Sequence, residues 1–109
     1  MSCYHIYQTD ADYVFHSWNM SKEKFNIDDY YKVYSGVLID SITYGDKVSN
    51  CNENDNEVLE ELFMMFNVNH PEDYKARSLS VSDVVAIVRK NVTRYYYCDS
   101  MGWKLILSE

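Results

Sequence analysis

The sequence predicts an α+β domain: a small antiparallel sheet with a C-terminal three-strand meander, packed against one main helix. Three observations carry this. The last third of the chain repeats short β-branched and aromatic runs separated by turn residues. One segment, at about 54–67, keeps helical spacing of its apolar residues. Of 109 residues, 11 are Tyr, 2 Trp and 4 Phe, and such rings suit half-buried strand surfaces.

In chain order, "CYHIYQ" (Cys3 to Gln8) alternates loosely and reads as a first strand. In "DADYVFHSW", Asp10 is placed to cap a short helix carrying Tyr13, Val14 and Trp18 on one side. "SKEKFN" reads as a turn or a second helical turn. "DYYKVYSGVLID" (Asp29 to Asp40) is a stronger strand, and Gly36 within it marks a bulge or turn. "YGDKVSNCNENDN" is turn-rich and reads as loop. The main helix opens at Asn54, with Glu57 at N-cap-to-N3 spacing. Val58, Leu59, Leu62, Phe63, Met65 and Phe66 form one wide apolar stripe, and Asn67, Asn69 and Pro71 end it. "DVVAIV", "TRYYYCD" and "WKLIL" are the meander strands, joined by turns at "RKNV" and "SMG". Ser78, Ser80, Ser82 and Asp83 precede the first of them, where their side chains can bond nearby backbone N–H groups.

One domain spans 1–109, with no repeat or internal boundary. The start, MSCYHIYQTD, has neither the basic region nor the apolar run of a signal peptide. No stretch approaches the ~18 apolar residues of a membrane span. Cys3, Cys51 and Cys98 are odd in number and lack C-x-x-C spacing, so free thiols and a cytoplasmic setting are expected. Charge is uneven. Residues 1–74 hold 14 acids and 4 bases, residues 75–109 hold 3 acids and 6 bases, and the whole chain is −7. That balance argues against direct binding of DNA or RNA through phosphates. It suits an acidic surface that competes for a basic nucleic-acid groove on a protein partner.

"HPEDYKARSLSVSDVVAIV" (His70 to Val88), followed by "YYYCDSMGW" (Tyr95 to Trp103), resembles the signature of the YodL-like domain family. Cys98 and Trp103 depart from the family pattern, which has an apolar residue and Phe there. The resemblance implies a small protein or domain frequent on conjugative and other mobile elements of low-GC Gram-positive bacteria. It carries over no catalytic residue.

Sites for chemistry are few. His5, His16 and His70 form no zinc-type spacing, so neither metal nor cofactor is expected. Cys98 with His70 as base, or Asp83 with Asp99 as a carboxylate pair, are the enzymatic alternatives. Burial in a strand and turn chemistry explain these residues more simply. The acids Glu53, Asp55, Glu57, Glu60 and Glu61 fall within nine residues without a base, and Asp28 and Asp29 add charge upstream. These seven are the expected partner-binding residues, with exposed Tyr as anchors. The expectation is a non-enzymatic protein inhibiting a host defence nuclease, as an anti-CRISPR or antirestriction factor. An accessory interaction module in conjugation or plasmid maintenance is the alternative.

Overall fold

The computed structural model describes residues 2–38, 55–68, 70–89 and 92–109. Five strands, β1 (Ser2–Thr9), β2 (Tyr30–Leu38), β3 (Val84–Arg89), β4 (Val92–Asp99) and β5 (Gly102–Ser108), form one antiparallel sheet in the order β2-β1-β3-β4-β5. The main helix, α2 (Asp55–Val68), lies on one face. A short helix, α1 (Trp18–Ser21), and a 3-10 turn (Ile27–Asp29) lie in the segment between β1 and β2. β2 and β3 both run antiparallel to β1, so they run parallel to each other, and such a pair needs a crossover. That crossover contains α2. The expected α+β architecture and three-strand meander are therefore present. No helix among the described residues is long and apolar enough to cross a membrane.

Strand alternation sorts the two faces. Tyr4, Ile6, Val85, Ile87 and Tyr96 turn to the helix side and join Val58, Leu59, Leu62 and Phe66 of α2 in one core. Each fully buried side chain of this kind contributes about 1.5–3 kcal/mol. β3 sits in the middle of the sheet, and Val84, Val85, Ala86 and Ile87 are all buried. Its unbroken apolar run reflects burial on both faces. The opposite face has a smaller aromatic cover at one end. There Trp18 meets Tyr97 at a centroid distance of 4.9 Å, and Phe25 meets both Trp18 and Tyr30 at 5.4 Å.

Three expectations need correction. The helix presents a narrower stripe than predicted, since Phe63 and Met65 remain 37% and 39% exposed. Tyr74 is part of the core and Tyr34 and Trp103 pack against it, while Phe63 meets Trp103 edge-on at 6.4 Å. Asp10 caps no helix. α1 starts only at Trp18, whose N–H bonds Asp99 Oδ1 of β4 at 3.1 Å. A cap supplied from 81 residues away leaves no local sequence signal. "SKEKFN" begins at the last residue of α1 and continues as a turn, as expected, with the 3-10 turn after it. Gly36 marks no bulge: β2 runs through it, and an added Cβ would collide with the Tyr4 ring and hydroxyl. The glycine gives the Tyr4 ring its place. The bulges are at Val33 and Ile106, one on each edge strand, where the register skips a residue. The chain turn at Gly102, with φ +99, is as expected. The end of the second strand at Ile39 and Asp40, the loop at 44–54, the Asn54 cap, Asn69 and the turn at Lys90 and Asn91 lie outside the described residues.

Gly36→Ala should destabilise the fold by about 2 kcal/mol, because the Tyr4 ring must shift inside a packed core. Urea unfolding of the variant beside the parent chain measures this.

Candidate functional site

The helix places its acids unevenly. Asp55, in the first turn, is mostly buried. It pairs with Arg89 at 2.9 Å and Arg94 at 3.7 Å, and accepts the Tyr96 hydroxyl. Burial and that carboxylate raise the Tyr96 pKa well above the ordinary phenol range. Glu60 is exposed and accepts the Trp103 indole N–H at 3.1 Å. Glu57 and Glu61 are exposed. The next turns expose Met64, Met65 and Val68. The outer surface of α2 is thus acidic in its first half and apolar in its second, and the helix carries no base.

Asp28 and Asp29 do not join this surface. They sit in the 3-10 turn beside the Thr9–Tyr30 end of the sheet, where Asp29 accepts the Tyr13 hydroxyl at 3.0 Å. Asp55 meets Arg89, at the opposite end of β3 from the residue paired with Tyr7. Of the seven predicted residues, the structure groups Asp55, Glu57, Glu60 and Glu61, and commits Asp55 to internal pairing. Glu53 lies outside the described residues.

The segment from Arg77 to Asp83 is a polar knot. Asp83 is fully buried. Its carboxylate pairs with Arg77 Nη2 at 2.9 Å, accepts the Ser80 N–H at 2.8 Å, and accepts Gln8 Nε2 at 3.2 Å. Burial raises the Asp83 pKa, and Arg77 and the hydrogen bonds only partly offset it. Next to it, Ser82 and Phe15 both hold positive φ, at 84° and 68°. The Phe15 N–H bonds Ser82 Oγ at 2.9 Å, and the exposed Phe15 ring lies over the Arg77 guanidinium at 4.8 Å. A bulky residue at positive φ is a strained state that its surroundings must enforce. Of the residues expected to bond nearby backbone N–H groups, only Asp83 does so, at Ser80; Ser80 Oγ donates to the Ser78 carbonyl and Ser82 Oγ takes the distant Phe15 N–H. The buried pair and the strain leave no sequence signal beyond Arg77 and Asp83 themselves.

The enzymatic alternatives find little support in this geometry. Cys98 is buried, and desolvation pushes its thiol to about 12, far from a reactive thiolate. His70 is exposed and packs edge-on against Tyr74. Asp83 is tied into its knot, while Asp99 holds the N–H groups of Trp18 and Ser100. Among the described residues no His, Cys, Asp and Glu gather as metal ligands. A contact the sequence did not signal joins His5 Nδ1 and Ser35 Oγ, 2.7 Å apart across β1 and β2.

The family model of the YodL-like domain matches residues 3–108. The chain belongs to the YodL-like domain family. No curated protein and no solved structure matches it.

Asp83→Ala should destabilise the domain by about 3 kcal/mol, because it strands the Arg77 charge. Replacing the pair together, as Arg77→Met with Asp83→Leu, should recover part of that loss in the same urea assay. The pH dependence follows from the sign of the shift. The folded pKa of Asp83 lies above the ordinary 3.8, so the folded state binds its proton more tightly. Its contribution is greatest below that value and is lost as pH rises through the folded pKa. The stability difference between parent and Asp83→Asn should therefore change with pH across this window and level off above it.

Proposed function

We propose that this YodL-like domain is a non-enzymatic protein-binding module that inhibits a host defence nuclease. The target would be a CRISPR effector nuclease or a restriction complex. The observation that carries the reading is the outer surface of α2, with Glu57, Glu60 and Glu61 exposed, no base on the helix, and Met64, Met65 and Val68 beyond them. Carboxylates fixed on a helix can take the place of phosphates in an Arg- and Lys-lined groove. The apolar end supplies adaptable contact area once the charges have aligned the partners. The family resemblance to mobile-element proteins supports the choice of partner, since such elements meet host nucleases. The burial of Cys98 supports the non-enzymatic part.

The test is a cleavage assay with guide-loaded CRISPR effectors and restriction enzymes from low-GC Gram-positive hosts. The parent domain should suppress cleavage by one of them. A Glu57→Gln, Glu60→Gln, Glu61→Gln variant should fold normally and lose most of that effect. Inhibition should also weaken with added salt, as exposed charges are screened. Cleavage unaffected across the panel counts against inhibition, and capture of conjugation proteins alone would favour the accessory-module alternative. In parallel, iodoacetamide should label Cys98 only after denaturation, read by mass spectrometry, and Cys98→Ala should inhibit as well as the parent.

A further inference from the structure

The sheet carries the opposite charge from the rest of the chain. Its five strands hold four bases, Lys32, Arg89, Arg94 and Lys104, against one acid, Asp99. Helix α2 holds four acids and no base. Arg89 and Arg94 turn to the helix side, where they meet Asp55. Lys32 and Lys104 lie on the other face, since they oppose Tyr7 and Tyr97 in the ladders and opposed residues share a face.

Between these lysines runs an aromatic row. The rings of His5 and Tyr7 are 6.4 Å apart, and those of Tyr7 and Tyr95 are 6.2 Å apart. Tyr7 and Tyr95 belong to β1 and β4, so they meet across β3. There the fully buried Ala86 pairs with His5 on one side and Tyr95 on the other. Its small side chain lets the rings approach. All three rings keep partial exposure, and both lysines are exposed. The cover formed by Trp18 and Phe25 is at the Tyr30 and Tyr97 end of this face.

We propose that this face binds single-stranded nucleic acid. Bases stack on Tyr7, Tyr95 and the His5 imidazole, and Lys32 and Lys104 meet the phosphates. Stacking on aromatic side chains beside a positive track is how sequence-tolerant single-strand sites work. The chain's net charge of −7 opposes such binding at long range. At contact the local charges decide. The α2 acids lie a layer away, on the order of 10 Å, and the Debye length at physiological salt is about 8 Å. Glu109 sits at one corner, where its backbone pairs with Thr93. Two lysines imply a shallow salt dependence, with a log–log slope of about −1.4.

The test titrates the full chain into fluorescein-labelled oligo-dT and oligo-U of about 12 nucleotides, a single-strand site size, and reads anisotropy. A duplex of the same length is the control. Both single strands should bind below about 100 µM, the weak end of non-specific affinity, and the duplex, whose bases are already stacked, should not. Tyr7→Leu and Tyr95→Leu should each weaken binding about tenfold. Tyr7→Phe and Tyr95→Phe, which keep the ring, should retain it. Lys32→Gln with Lys104→Gln, changed at exposed positions, should flatten the salt slope. Thermal unfolding of each variant confirms the fold. Absence of single-strand binding, equal binding of the duplex, or folded Leu variants that bind like the parent would each overturn the proposal.

Discussion

A buried carboxylate at the entry to β3 sets the geometry of one end of this domain. Asp83 has no exposed surface, and ionising it there is unfavourable unless partners surround it. The chain bends to provide them. Arg77 folds back six residues to meet it, the Ser80 N–H points at it, and Gln8 reaches it from β1. Each partner fixes a further element. Gln8 also bonds the Arg77 carbonyl and the Tyr74 hydroxyl, joining the segment after α2 to the first strand. Ser82, held beside Asp83, anchors the Phe15 N–H and accepts the Tyr30 hydroxyl through its carbonyl. The loop between β1 and β2 is thereby tied to the start of the meander. Such a pair adds little net stability over an apolar replacement, but removing one member is severe. Its effect is to specify one arrangement of three distant segments.

The same separation of charge shapes the outside. Both edge strands guard their open sides with one lysine and one bulge: Lys32 and Val33 on β2, Lys104 and Ile106 on β5. These are devices against edge-to-edge pairing, and they set β5 against a second copy despite its exposed Leu105 and Leu107. They also put the free positive charge of the sheet on the face away from α2. The exposed α2 acids and these two lysines are thus held on opposite layers.

Local pattern made the sheet and the main helix legible in the sequence. Alternation in β1, the β-branched run of β3 and the Gly102 turn each state their own structure. The misses lie elsewhere. The α1 cap comes from Asp99, the space at Gly36 is taken by Tyr4, and the buried stripe of the helix is narrower than its spacing suggests. The first two are decided by residues distant in sequence and leave no periodicity. The candidate site divides the same way. Helical spacing placed Glu57, Glu60 and Glu61 outward, but nothing local could tell that Asp55 would be drawn in by Arg89, or that Asp28 and Asp29 would lie at the other end.

The surplus of tyrosine links these features. The chain has 17 acids and only 10 bases, so carboxylates outnumber the cations that could meet them. Phenol hydroxyls supply donors instead. Tyr13 bonds Asp29, Tyr31 bonds Asp10, Tyr34 bonds Asp73 and Tyr96 bonds Asp55. Leucine would fill the same core volume but leave those oxygens to water or unpaired. Tyrosine fills the volume with its ring and satisfies the acid with its hydroxyl. An acidic chain can then fold without neutralising its surface. Glu57 and Glu61 stay exposed on the outer face of α2.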